Sequence, residues 1–185
     1  MVSACSTPPK QQVAERVEEP EQVYQVQVEK KKTPTSYSYI QKAKEQSPEQ
    51  ASSFYIQAAK YAILEEKSVE FVTQILDRIN VKRYNSVIQD IELTKALLHV
   101  GNIDSAQIVL NRLQQGNLPK RYQLPLWIIK AQIEANQNQH IKVVRTIFRI
   151  YDFHDKDLTE ADSKLLNRLV WQHINKLPEA TLTQF

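Results

Sequence analysis

Glycine is nearly absent from this sequence: 185 residues contain two, Gly101 and Gly116. Dinucleotide fingerprints, P-loops and tight β-meanders need glycine where the backbone takes φ > 0 or comes close to a ligand. Two isolated glycines argue against any such phosphate-cradling loop. Cysteine is scarcer still, and Cys5 alone excludes an internal disulfide. No apolar run approaches the ~20 residues that span a bilayer. Charge of one sign is lacking as well: 24 basic and 21 acidic residues are mixed along the chain, for a net +3. A nucleic-acid binder concentrates basic residues on one face, so nucleic acid is not an expected partner.

What remains is rich in helix formers. Leu, Ala, Gln, Glu and Lys dominate after about residue 40, which points to an all-α fold. The N-terminus differs. Val2-Ser3-Ala4-Cys5 has the pattern that ends a bacterial lipobox: an aliphatic residue, two small ones, then the cysteine that receives the lipid. A basic n-region and an apolar h-region would stand upstream of it, where this sequence has Met1. A chance match in a tail is the competing explanation. Residues 1–5 are taken as the remnant of a lipobox, and lipidation at Cys5 is expected to tie the chain to a membrane. Residues 6–34 then form a polar, Pro-containing tether, with Pro8, Pro9, Pro20, Pro34 and the run Lys30-Lys31-Lys32, too poor in apolar residues to fold alone.

A helical domain is expected over 35–185. A short helix covers about 36–46. Ser47-Pro48-Glu49-Gln50 then reads as a helix start, with Ser47 as N-cap, Pro48 at N1 and Gln50 closing a capping box. The apolar stripe Phe54, Ala58, Ala59, Ala62, Ile63 breaks near Glu66-Lys67-Ser68 and resumes at Val69, Val72, Leu76 and Ile79. The unit returns as Ile91 to Leu98, a turn at His99-Val100-Gly101-Asn102, and Ala106, Val109, Leu110 and Leu113. Ile63 and Leu97, Val72 and Ala106, Leu76 and Leu110, Ile79 and Leu113 are each about 34 residues apart. In a third copy Leu126, Ile129 and Ile133 precede Asn136-Gln137-Asn138, and Ile141, Val144, Phe148 and Tyr151 follow. The register drifts there, so an insertion is expected in that turn, and Pro125 must lie near a helix start or a kink. A last helix after Asp157-Leu158-Thr159 carries Leu165, Leu166, Leu169, Val170, Ile174 and Leu177 before Pro178. Paired helices repeating at about 34 residues predict a tetratricopeptide-like, right-handed superhelix of antiparallel helix pairs. An unrelated helical bundle is the alternative.

Chemistry is hard to find. His99, His140, His154 and His173 lack the i, i+4 spacing of a zinc helix. Asp152, Asp155 and Asp157 lack the glycine and terminal glutamate of a calcium loop. No nucleophile elbow occurs, and no cofactor, metal or enzymatic activity is expected. One feature repeats. Lys82-Arg83-Tyr84 and Lys120-Arg121-Tyr122 each open a repeat, and stacking would bring them to one edge as a basic, aromatic ridge for a partner. Two solvated loops with each Tyr packed as a staple are the simpler explanation. Trp127 and Trp171 sit beside apolar stripes, where core packing is the default, although Trp127 can also line a binding groove.

The phrases Glu92-Leu93-Thr94-Lys95-Ala96-Leu97-Leu98, Gly101-Asn102, Ala106-Gln107, Trp127-Ile128-Ile129-Lys130-Ala131 and Leu169-Val170-Trp171 have a further significance. In this order and spacing, from about Gln50 onward, the chain resembles the N-terminal domain of the LpoA family, outer-membrane lipoproteins that activate a class A penicillin-binding protein. The resemblance implies a non-enzymatic periplasmic regulator of peptidoglycan synthesis, lipidated at Cys5 and sorted to the outer membrane by Ser6 in place of Asp. It implies a class A penicillin-binding protein as partner and contact with peptidoglycan. Family members continue into a second, α/β domain, whereas this sequence stops at Phe185. The other expected role is a tetratricopeptide lipoprotein scaffold for a pilus, secretion or outer-membrane assembly complex.

Overall fold

The computed structural model describes residues 33–83 and 85–182. The chain divides into Met1–Lys32 and Thr33–Phe185, and the second unit is the subject from here on. Cys5, all but the last two residues of the 6–34 tether, and Tyr84 lie outside the described residues.

Among the described residues all regular structure is helical, as the composition predicts. The helices are α1 (Ser36–Lys44), α2 (Pro48–Leu64), α3 (Val69–Leu76), α4 (Val87–His99), α5 (Ile103–Gln115), α6 (Gln123–Asn136), α7 (His140–His154), α8 (Glu160–Ile174) and α9 (Glu179–Leu182), with 3-10 turns at Lys120–Tyr122 and Asp155–Asp157. Thr35, Ser86 and Thr159 close reciprocal capping boxes with Ser38, Gln89 and Asp162, so the free N–H groups at these starts are satisfied. Ser47 does less than its sequence promises. Pro48 does sit at N1, but Ser47 makes no side-chain cap bond. The Gln50 N–H donates instead to the Ser47 main-chain carbonyl at 2.9 Å.

The three turns within helix pairs share one geometry. In each, one residue takes the left-handed conformation: Glu66 (φ 54°), Gly101 (φ 75°) and Asn138 (φ 56°). In each, the next N–H reaches back five residues, from Lys67 to the Ala62 carbonyl, Asn102 to Leu97, and Gln139 to Glu134, all at 2.9 Å. These are Schellman closures, which consume carbonyls that the helix end leaves unpaired. The third turn has the same three-residue length as the second, so the expected insertion is not there. The surplus lies upstream, between Leu113 and the start of α6, which are farther apart in sequence than their equivalents Ile79 and the start of α4, and in α6, which is one residue longer than α4. Pro125 is the third residue of α6, where its missing N–H costs no helix bond.

Gly101 is the one turn position filled by the residue that its φ favours. A Cβ there would meet nothing within 4 Å, so the cost of adding one is conformational alone. Gly101→Ala is expected to lower stability by about 1–2 kcal/mol, and Glu66→Gly to raise it by a smaller amount, both measured by chemical denaturation.

The second helix of each pair buries the same pattern. Val72, Ile75, Leu76 and Ile79 are followed 34 residues later by Ala106, Val109, Leu110 and Leu113, and 37 residues after those by Val143, Thr146, Ile147 and Ile150, all buried. Three of the four residue pairings read from the sequence therefore hold; Leu97 instead matches Ala62, because the first turn is one residue longer. On α7 the expected stripe is displaced. Ile141 and Phe148 are exposed, and Val143, Ile147 and Ile150 take the core positions. Helices α2, α4, α6 and α8 contact one another in series, and α3, α5 and α7 each pack against the first helix of their own pair and that of the next. Leu126, Ile129 and Ile133 of α6 face the larger core that reaches back to α1, whereas its Ala131 and Ala135 face α7 and α8.

Buried polar groups tie the helices together. The Ser36 N–H and hydroxyl both donate to the Glu65 carboxylate, at 2.8 and 2.6 Å, which holds that carboxyl below its usual range and pins α1 to the first turn. Asp90 on α4 is fully buried and receives Arg112 of α5 through two bonds of 2.8 and 2.9 Å. A third arm of Arg112 donates to the Val81 carbonyl at 2.7 Å, fixing the α3–α4 loop. Glu134 accepts from the Thr146 hydroxyl at 2.7 Å.

Candidate partner-binding groove

The surface turns concave where the Lys120–Tyr122 turn, the start of α6 and the end of α7 meet. A groove of about 920 Å³ opens there, lined by Lys120, Arg121 and Trp127 with Arg149, Phe153 and His154. Each wall has a local cause. Pro119 precedes the 3-10 turn, and the Tyr122 N–H closes it on the Pro119 carbonyl at 3.0 Å, leaving Lys120 and Arg121 exposed. Tyr122 points the other way and packs on the larger core. On α7, Arg149 and Phe153 are one turn apart and both exposed, because Ile147 and Ile150 hold the buried phase.

Electrostatically the groove is unbalanced. Lys120 and Arg149 make no ion pair among the described residues, and the Arg121 guanidinium lies over the Tyr122 ring at 4.8 Å. The carboxylate lining this groove belongs to Asp157, which faces His154 Nδ1 at 3.6 Å. Trp127 is half-buried, with the Lys130 ammonium 4.9 Å from its ring centre. Trp127 therefore joins core packing to a groove wall. Trp171, for which core packing was the default, is 68% exposed on α8.

The sequence candidates divide. Lys120, Arg121 and Trp127 come together; Lys82 and Arg83 do not join them. Arg83 lies in a separate depression beside α2 and α4 and approaches Glu49 at 3.8 Å. Lys82 is exposed on the α3–α4 loop, its N–H held by the Asn80 side chain at 3.1 Å. Lys82-Arg83 and Lys120-Arg121 thus have different settings, one in an irregular loop and one in a helical turn. Arg149, Phe153 and His154 were not legible as site residues. Their signal was an i, i+4 pair on the polar side of α7, visible only once the buried phase of that helix is known.

A second depression, of about 580 Å³, lies across α4, α6 and α8 and shares Leu124 and Pro125 with the first. It is apolar on Leu98, Ile128, Leu165 and Leu169. The start of α6 is the ridge between the two.

His140 and His173, 33 residues apart in sequence, meet with their Nδ1 atoms 2.7 Å apart, the first residue of α7 against the last turn of α8. A bond of that length needs one proton between two nitrogens, so both rings cannot be charged and keep it. Burial first, then His140 and Lys176, hold the pKa of His173 below its ordinary 6.5. The unfolded chain therefore takes up this proton at a higher pH than the folded one. Stability is expected to be full above pH 6.5 and to fall as the pH drops through it, until the folded pKa is passed. Denaturation midpoints at a series of pH values check this, and His140→Ala should make the slope shallower.

Among the described residues no three His, Cys, Asp or Glu side chains gather as metal ligands. Comparison with protein-family models, with curated proteins and with solved structures returned no match.

Proposed function

We propose that this chain is a non-enzymatic binding module of the LpoA type: a tetratricopeptide-like right-handed superhelix, lipid-anchored at Cys5 to the outer membrane and facing the periplasm, that acts with a class A penicillin-binding protein to regulate peptidoglycan synthesis. The observation that carries this reading is the serial packing of three helix pairs closed by the same turn. Such a stack buries each apolar face only against its neighbours and leaves a continuous outer surface whose use is recognition. The groove at Lys120, Arg121 and Trp127 supports that use, because it gathers exposed cations and aromatic surface at the point where one pair hands over to the next. No described helix is long and apolar enough to cross a membrane. The order and spacing of the repeat phrases from about Gln50 onward favour the LpoA type among helical-repeat lipoproteins, while the lipobox pattern at Cys5 supports a lipoprotein of either kind.

The test is purification of the full-length lipoprotein from membranes. Co-purification of a class A penicillin-binding protein, with faster glycan polymerisation when the two are mixed, is the expected result. Co-purification of a pilus, secretion or outer-membrane assembly complex in its place would sink the reading. In the same preparation, intact mass should show acylation, and Cys5→Ser should move the protein to the soluble fraction.

A further inference from the structure

We propose that the groove between the Lys120–Tyr122 turn and the end of α7 docks an acidic linear peptide segment of a partner protein, with one large apolar side chain set among its carboxylates. This rests on the reading of the chain as a partner-binding module, but on no particular partner.

The argument begins with charge. Lys120, Arg121 and Arg149 converge on one groove with Asp157 as the lining carboxylate, and Asp157 already faces His154. The basic side chains are exposed, so each ion pair they form with a ligand is individually weak and screened by salt. Charge alone would give a diffuse, non-selective surface. The second observation supplies an anchor. Phe153 is 77% exposed and forms an apolar wall with Trp127, Leu124 and Pro125. An aromatic side chain that gains burial only when a partner arrives is the usual centre of an interface, with charges around it setting orientation. A ligand that matches both features carries carboxylates on either side of an apolar side chain.

Other polyanions fit less well. The hydroxyls around each ring of a glycan strand need acceptors as well as donors, and the side chains lining the groove are mostly cationic or apolar, with acceptors at Asp157, Gln123 and His154. A nucleic acid needs a longer cationic track and successive open ring faces. Trp127 already has the Lys130 ammonium over its ring, and Tyr122 has Arg121.

The experiment uses the full chain and a fluorescein-labelled, glutamate-rich peptide with a central phenylalanine, read by anisotropy. Saturable binding is expected, weakening several-fold between about 0.1 and about 0.5 M salt. Arg149→Glu and Phe153→Ala should each weaken it roughly tenfold. Both positions are exposed, and unchanged thermal melting checks that each variant folds; Lys120→Glu serves as a second charge reversal should Arg149→Glu melt early. Lys142→Glu, on the same helix but lining a different depression, should leave affinity unchanged. The proposal is overturned if a lysine-for-glutamate peptide binds equally well, if a serine-for-phenylalanine peptide does, or if neither groove substitution matters. It is also overturned if a peptidoglycan fragment or an oligonucleotide displaces the peptide at lower concentration than the unlabelled peptide itself. If Arg149→Glu abolishes peptide binding while the synthase still co-purifies, the groove serves a different partner and the LpoA-type reading stands. If peptide binding holds and no synthase co-purifies, that reading falls and the docking site remains.

Discussion

Replacing Arg112 with alanine is expected to lower the unfolding free energy by about 3–5 kcal/mol, more than any other polar substitution in the fold. The reason is what the guanidinium leaves behind. Asp90 has no exposure, and Arg112 donates to both of its carboxylate oxygens, at 2.8 and 2.9 Å. Once the guanidinium is gone, the Asn85 amide at 3.0 Å is the donor that remains to a buried carboxylate. The Val81 carbonyl loses its donor at the same time. The penalty is therefore that of an uncompensated buried charge, and it exceeds the value of the pair itself. Replacing both partners by apolar residues of similar size should be far milder. Denaturant titrations of Arg112→Ala and of the double variant Asp90→Leu/Arg112→Met separate the two cases. Equal destabilisation in both would mean that packing, and not the stranded charge, sets the cost. For a unit of this size the single variant should melt on the order of 10 °C earlier. The α3–α4 loop should also exchange its amide protons faster, since Val81 is its tie to α5.

That ion pair could not be found by reading along the chain. Asp90 and Arg112 are 22 residues apart, and each has the surroundings of an ordinary helical surface residue. What could be read was periodicity. The turn at Gly101 and the pairs Val72/Ala106, Leu76/Leu110 and Ile79/Leu113 were legible because a repeat copies both its apolar phase and its punctuation. The first and third turns were harder, because Glu66 and Asn138 occupy the left-handed position without the glycine that would mark it. The common geometry is in the backbone and was hidden in composition. The groove was half legible for a related reason. Lys120, Arg121 and Trp127 stand out as residue types, but Arg149 and Phe153 acquire meaning only when α7 is rotated correctly. Lys82 and Arg83 show the converse. The same Lys-Arg pair sits in a loop with different neighbours, and similarity of sequence did not carry similarity of setting.

The rotation of α7 is itself open to measurement, and it supplies the second large effect. Ile147→Ala is expected to cost about 2–5 kcal/mol, whereas Phe148→Ala should cost about 1 kcal/mol despite removing the larger side chain. Two apolar stripes compete on this helix. One runs through Val143, Ile147 and Ile150, the other through Ile141, Val144, Phe148 and Tyr151, and both satisfy helical spacing. Neighbouring helices decide between them. Ile147 has no exposure and packs with Ala131, Ala135 and Leu166 from the helices on either side, while Phe148 is 36% exposed. The Thr146 hydroxyl adds a polar lock, because its bond to buried Glu134 can form only in the observed rotation. Val144, buried in either phase, discriminates nothing. Denaturation of the two alanine variants therefore reads the phase of α7 directly. A larger loss at Phe148 than at Ile147 would rotate the helix by about one residue. Arg149 and Phe153 would then leave the groove together, and the docking site would lose its most exposed aromatic side chain and one of its three cations in a single result.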